Sequence, residues 1–290
     1  MRRLKALVPD RMRGWLRELY YPCFRAALFV RYRYADAFAD AFKVHAAGAA
    51  DGMPMPPALL RYRVSEDVDP DRFRAVGKRT SESIQAALLR VGRRIGDFHA
   101  ILDFGCGCGR TLTWLTRQFP DVKFHGTDVD TEAIAWCRAH LPLVDWQVNA
   151  ALPPLERGQG AFDLVYAISV FTHLDADHQD QWLHEFARVL RPGGILLLTV
   201  HGEGARRDWD TDRRARLEQE GFVFETSTKL RGIVPEWYHT AHHTREYAVS
   251  RVGAYFRVLA YIEGGMGDQD AIVARRDAVV GQADRSSGCV

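Results

Sequence analysis

The chain has 290 residues, 47% of them hydrophobic, enough for one sizeable core with additions and no required second domain. Its 39 Lys and Arg nearly balance 37 Asp and Glu, leaving a net charge of +2, which excludes the globally basic signature of a nucleic-acid-binding protein. No apolar run approaches the roughly 18 residues of a membrane span, and Ala26-Ala-Leu-Phe-Val30 is too short for a signal-peptide core, so neither spanning nor secretion by that route is expected.

Charge is concentrated at the start. Residues 1–34 hold nine Lys or Arg against Asp10 and Glu18, a local excess of seven, interleaved with Trp15, Leu19, Tyr20, Phe24, Leu28 and Phe29. This stretch reads as a basic aromatic helical arm over 1–50, broken by Pro22, that packs on the core or a second subunit; contact with an anionic membrane surface is the alternative. Ala46–Pro57 is small, glycine-containing and proline-rich and reads as a linker, and a helix is predicted over Ser81–Val91 within the linker and covering segment 51–97. The five cysteines, at 23, 106, 108, 137 and 289, lack paired metal spacing, so a reducing cytoplasm is the simplest setting, with the inner membrane surface as a further option.

From residue 98 to 276 strands and helices alternate as in a parallel α/β sheet. Strands are predicted near 99–104, 122–127, 144–148, 162–168 and 194–200, and helices near 109–119, 130–140 and 176–190. Arg191-Pro-Gly-Gly194 reads as a sharp helix-to-strand turn.

The first of these strands runs into Asp103-Phe-Gly-Cys-Gly-Cys-Gly-Arg110. Glycines at 105, 107 and 109 let the backbone turn sharply beside a ligand, but Arg110 stands where the dinucleotide fingerprint needs a third glycine. Asp103 repels a pyrophosphate yet accepts hydrogen bonds from an amine, and Asp128 at the end of the second strand can accept both ribose hydroxyls. The pattern fits S-adenosylmethionine.

Ile101-Leu-Asp-Phe-Gly-Cys-Gly-Cys-Gly109 closely resembles the first motif of class I S-adenosylmethionine-dependent methyltransferases, and Gly126-Thr-Asp-Val-Asp130 resembles their second. The resemblance spans roughly 57–276 and implies a Rossmann-like, seven-stranded, mostly parallel sheet with helices on both faces. An insert over 202–247 follows strand five, with a hairpin expected from Gly221–Ser227 and Gly232–Tyr238, and residues 277–290 read as a loose tail. Tyr255–Ile262 and Asp270–Arg275 resemble the closing antiparallel pair of that fold.

The cofactor set is then Asp103, Gly105, Cys106, Gly107, Asp128 and Val129, with Asn149 and Ala150 after the third strand and Ser169 after the fourth. Ser169-Val-Phe-Thr-His-Leu174 resembles the corresponding motif of small-molecule methyltransferases and lacks the Asn/Asp-Pro-Pro-Tyr/Phe tetrad of enzymes that methylate DNA bases or protein amides. A small-molecule or glycan acceptor follows, lipid-linked if the arm binds membrane, with no nucleic-acid partner.

Transfer to a hydroxyl needs a base, and histidine titrates near working pH. The candidates are His201, His239, His173 and His242. His239, His242 and His243 lack a carboxylate partner beyond Glu246, so no metal is expected. A non-catalytic cofactor-binding subunit of the same fold and an NAD-dependent oxidoreductase are the competing readings.

Overall fold

The computed structural model describes residues 26, 27, 30, 34, 52–65, 67–226 and 239–277. Nearly all of the arm over 1–50, the Gly232–Tyr238 part of the expected hairpin and, beyond Asp277, the tail lie outside the described residues. Among those described, no helix is long and apolar enough to cross a membrane.

Helix α1 spans Ala58–Ser65 and α2 spans Pro70–Leu89. The second helix begins at Pro70 rather than Ser81 because the Asp69 carboxylate accepts the Arg72 N–H at 2.8 Å while Pro70, whose missing donor costs nothing there, opens the first turn. Phe73, Gly77, Ile84, Ala87 and Leu88, at helical spacing, turn one face inward.

Strand β1 (Ala100–Phe104), helix α3 (Leu112–Gln118), β2 (Lys123–Asp128), α4 (Thr131–His140), β3 (Val144–Val148), β4 (Phe162–Ala167), α5 (Ala176–Val189) and β5 (Leu190–His201) form the parallel part. Beyond it come α6 (Thr211–Glu220), β6 (Phe222–Glu225), β7 (Thr240–His243), α7 (Arg245–Gly253), β8 (Arg257–Met266) and β9 (Gln269–Arg275). The main sheet has the seven strands that the resemblance implies, in the order β3-β2-β1-β4-β5-β9-β8, with β9 antiparallel to both neighbours. Helix α3 starts three residues later than its pattern because the glycine turn continues through Arg110. Arg191, Pro192 and Gly193 are exposed, yet Gly193 donates to the Arg276 carbonyl at 2.7 Å, so these residues are a register shift inside a long β5 rather than a separate turn.

All six residues of β4 are buried, as a central parallel strand covered on both faces requires. On one face Phe104 packs against Trp182 and Phe186 of α5, ring centroids 4.4 and 4.9 Å apart. On the other Ile84, Leu88, Leu112, Leu115, Ile134 and Trp146 join α2, α3 and α4 to the sheet. Strand order reverses between β1 and β4, where ligands of open α/β sheets bind.

The segment after β5 docks through buried polar groups. Strand β6 pairs antiparallel with β7, so the second arm of the hairpin is Thr240–His243. Ala241 donates its N–H to the Thr172 carbonyl at 2.8 Å, His201 Nδ1 meets the Ala241 carbonyl at 2.9 Å, and Arg206 donates to the His243 carbonyl at 3.0 Å. His242 stacks on His201 and takes the edge of Trp209. Burial, with the charges of Arg206 and Arg213 nearby, pushes His242 down to about 3, and burial does the same for His243. Both are neutral in the fold, while an unfolded chain protonates them below pH 6.5, so stability falls as pH drops from there. His242→Phe removes one such group: between pH 6.5 and 5.5, denaturant titrations should show wild type losing about 1 kcal/mol more than the variant, all other groups cancelling in the difference.

Candidate functional site

The first strand delivers Asp103 and Phe104 to the sheet edge, and the chain then reverses through Gly105, Gly107 and Gly109, with φ of +77°, +54° and +73°. Only glycine adopts that series without strain. The N–H groups of Gly105 and Cys106 both donate to the Thr127 carbonyl, at 2.8 and 3.1 Å, which ties the turn to β2. A Cβ on Gly105 would lie 2.3 Å from Val170 Cγ2, and one on Gly107 would lie 2.5 Å from Val64 Cγ1. The glycines therefore keep open a cavity whose walls come from both sides of the switch point.

Asp128 Oδ2 accepts the Gly107 N–H at 2.7 Å and Oδ1 accepts the Asp130 N–H at 2.8 Å, which fixes the carboxylate at the cavity with lone pairs to spare. Burial raises its pKa. Asp103 is more perturbed: burial pushes its carboxyl up to about 8 against the opposing pull of a hydrogen bond from the Tyr166 hydroxyl at 2.9 Å. Val129 and Asn149 line the cavity; the Asn149 amide oxygen accepts the Thr127 hydroxyl at 2.8 Å. Ala150 is not among the lining residues, whereas Ala151 is.

Ser169 also lines the cavity, at φ +62°. Its N–H donates to the Thr199 hydroxyl at 2.8 Å and its own oxygen accepts the Gln269 side-chain amide at 2.7 Å. A non-glycine residue held at positive φ by tertiary bonds marks strain kept at a site.

The four histidine candidates divide. His173 and His239 line the cavity, with His173 Nδ1 donating to the His239 carbonyl at 2.6 Å and the His239 ring edge-on to Phe224. Burial lowers His173 to about 4, so it is a neutral imidazole. His201 and His242 are in the docking cluster and are not lining residues: His201, at the end of β5, is covered by β7, and His242, within β7, is held between His201 and Trp209. Burial lowers His201 as well.

Several lining residues carry no motif. Arg63 of α1 bridges Asp130 and Glu132 at 2.9 and 3.0 Å, fastening the covering segment across the mouth. Asp175 caps α5 and holds His178 Nδ1 at 2.7 Å, and both face the cavity. The helix-capping pattern Asp175-x-x-His178 was the available signal. Among the described residues, no group of three or more His, Cys, Asp or Glu could hold a metal ion. Cys106, Cys108 and Cys137 are buried free thiols around the turn, and burial raises all three.

The donor set fits S-adenosylmethionine: a glycine turn along the cavity, one buried carboxyl suited to an ammonium and one anchored carboxylate suited to a diol. Residues 101–194 match the family model described as a methyltransferase domain. Phthiotriol/phenolphthiotriol dimycocerosates methyltransferase 1 of Mycobacterium ulcerans is 29% identical over 160 residues, 54% of each chain. The fatty-acid O-methyltransferase of Mycolicibacterium smegmatis is 33% identical over 100 residues, 34% of this chain and 36% of its own. The chain thus spans about half or less of the length of these curated relatives. The fold is also that of an S-adenosylmethionine dependent methyltransferase from Mesorhizobium loti, with a TM-score of 0.51 and 18% identity over 67% of this chain and 98% of that one. The span matched by the family model holds the glycine turn and both carboxylates, and over it the chain is similar to S-adenosylmethionine-dependent methyltransferases.

Proposed function

We propose that the protein transfers a methyl group from S-adenosylmethionine to a hydroxyl of a small molecule or glycan, with a histidine of the cavity wall as general base. The observation that carries this is the division of one cavity: Asp103, the glycine turn and Asp128 on one side, His173, His239 and Phe224 on another.

When bound, the cofactor supplies an electrophilic methyl on a sulfonium. Asp103 is suited to its ammonium and Asp128 to its ribose hydroxyls, while Val129 and Asn149 offer an apolar face and an amide to adenine. The chain's part is to align acceptor oxygen and methyl, since proximity and orientation supply much of the acceleration. A neutral imidazole can take the hydroxyl proton as the oxygen attacks, and His173 and His239 are the candidates that line the cavity. His201 and His242 are better read as docking residues.

Calorimetry with S-adenosylhomocysteine and NADH separates this reading from an oxidoreductase. S-Adenosylhomocysteine should bind and NADH should not, and Asp128→Asn should weaken the former by about 10- to 100-fold, as for a lost charge-assisted hydrogen-bond pair. Binding of NADH alone would sink the proposal.

With tritiated methyl donor and a small-molecule cell extract, wild type should label an acceptor. His173→Gln and His239→Gln, assayed separately, should identify the base as the one that lowers turnover by about 10²- to 10⁴-fold while leaving the affinity for S-adenosylhomocysteine intact. Unchanged turnover in both would remove the histidine-base assignment, and absence of any labelling by wild type would favour the non-catalytic subunit.

A lipid-linked acceptor is supported by the basic excess of residues 1–34 and by two relatives whose names specify dimycocerosate and fatty-acid acceptors. Full-length protein should float with anionic liposomes and a chain lacking residues 1–50 should not; equal flotation would exclude the arm as the membrane contact.

A further inference from the structure

Asp103 and Tyr166 face each other across the β1–β4 ladder as direct register partners. Tyr166 has no exposed surface, Asp103 is 4% exposed, and the phenol donates to Asp103 Oδ2 at 2.9 Å. The carboxyl's other charged or titratable neighbours are Asp128 from the end of β2, Arg110 and Cys106 from the glycine turn, and Cys137 from α4. Among the neighbours named, the cation is Arg110, and its attraction ranks below both the burial of Asp103 and the repulsion from Asp128. Yet Asp103 lines the cavity, where the proposed cofactor would bring an ammonium.

We propose that cofactor capture is coupled to loss of a proton from Asp103, and that Tyr166 is the positioning residue that tunes this step by holding Oδ2 and stabilising the ionised carboxylate. The inference rests on the cofactor reading given above. Without ligand, an isolated carboxylate in that place is costly, so the carboxyl holds its proton at neutral pH; burial accounts for a value of about 8. When an ammonium arrives, the proton leaves to solvent and the carboxylate pairs with the cation. No bond other than that O–H is broken. Tyr166, whose own pKa is pushed far up by burial and by Asp103, remains a donor throughout.

The test is titration calorimetry of the full chain with S-adenosylhomocysteine, repeated in buffers of different ionisation enthalpy from pH 6 to 9. 5′-Methylthioadenosine, which lacks the amino-acid part, is the control ligand. S-Adenosylhomocysteine should release close to one proton at pH 7. Its affinity should rise about tenfold per pH unit below 8 and level off above, since the carboxyl is already ionised there. The control ligand should release none and show a flat profile.

Tyr166→Phe removes a hydrogen bond to the charged form, so its levelling-off should move to higher pH, with the largest loss of affinity near pH 7 and convergence toward wild type near pH 9. Asp103→Asn should bind with no proton release and no pH dependence. A Tyr166→Phe loss that is equal at every pH would mean a merely structural role and would overturn the proposal. So would proton release with the control ligand, or none with S-adenosylhomocysteine. If neither ligand binds at any pH, the cofactor reading itself falls, and the coupling with it.

Discussion

The molecule depends on a close approach that leaves no room for side chains at the head of the sheet. Added Cβ atoms on Gly105, Gly107, Gly109 and Gly126 would all lie within 3 Å of a neighbour: Val170, Val64, Leu141 and Trp146 for the first three, and Trp146 again for the last. These contacts come from β3, from α1 and from the segments after β4 and α4. The turn is thus a hub on which α1, β3 and the segments after β4 and α4 all bear. Two N–H groups on one carbonyl, that of Thr127, hold it at the height where Asp103 and Asp128 flank it.

From that hub the polar chemistry separates by how each charge is managed. Asp128 keeps two backbone donors, so its orientation is set before any ligand arrives. Asp103 has one neutral donor and deep burial, an arrangement that favours the uncharged form. Arg63 is neutralised by Asp130 and Glu132 and serves to hold α1 in place. On the histidine wall, burial keeps His173 neutral, which suits an acceptor of protons rather than a binder of anions. The β6–β7 pair supplies Phe224 to that wall, and residue 239 lies just before β7, so docking of the segment after β5 and the shape of the cavity are one problem.

Most of the fold was legible because parallel α/β periodicity is local: five apolar strands and the helices between them fall within a few residues of their patterns, while the closing antiparallel pair followed from the family resemblance. The errors have local causes. Asp69-Pro70 capped a helix whose apolar pattern alone starts later, and β7 lay at Thr240–His243, where three polar residues surround one alanine and carry no strand alternation. The lining of the cavity was legible where backbone conformation dictates sequence, as at the glycines and the strand-end carboxylates. It was not legible for His201 and His242, because a histidine at a strand end looks alike whether it faces a cavity or a docked hairpin. Arg63 was missed since its place in the cavity follows from how α1 packs, which no spacing records, and the cap pattern of Asp175 and His178 marks a helix start without saying that it faces a cavity.

Tyr166 shows the same limit from the other side. In the sequence it is one more apolar-compatible residue of a buried strand, and burial of all six positions of β4 would accept Phe there as readily. A buried phenol needs a partner, and the parallel register places its partner opposite: Asp103 is the one carboxylate on β1. The pairing explains how a strand that must be apolar on both faces tolerates an ionisable group at its end. The hydroxyl satisfies one oxygen from within the sheet and leaves the carboxyl at the cavity wall, where a ligand's cation can complete its shell. A carboxylate already paired by an arginine at that position would be stable without ligand and would have less to gain from one.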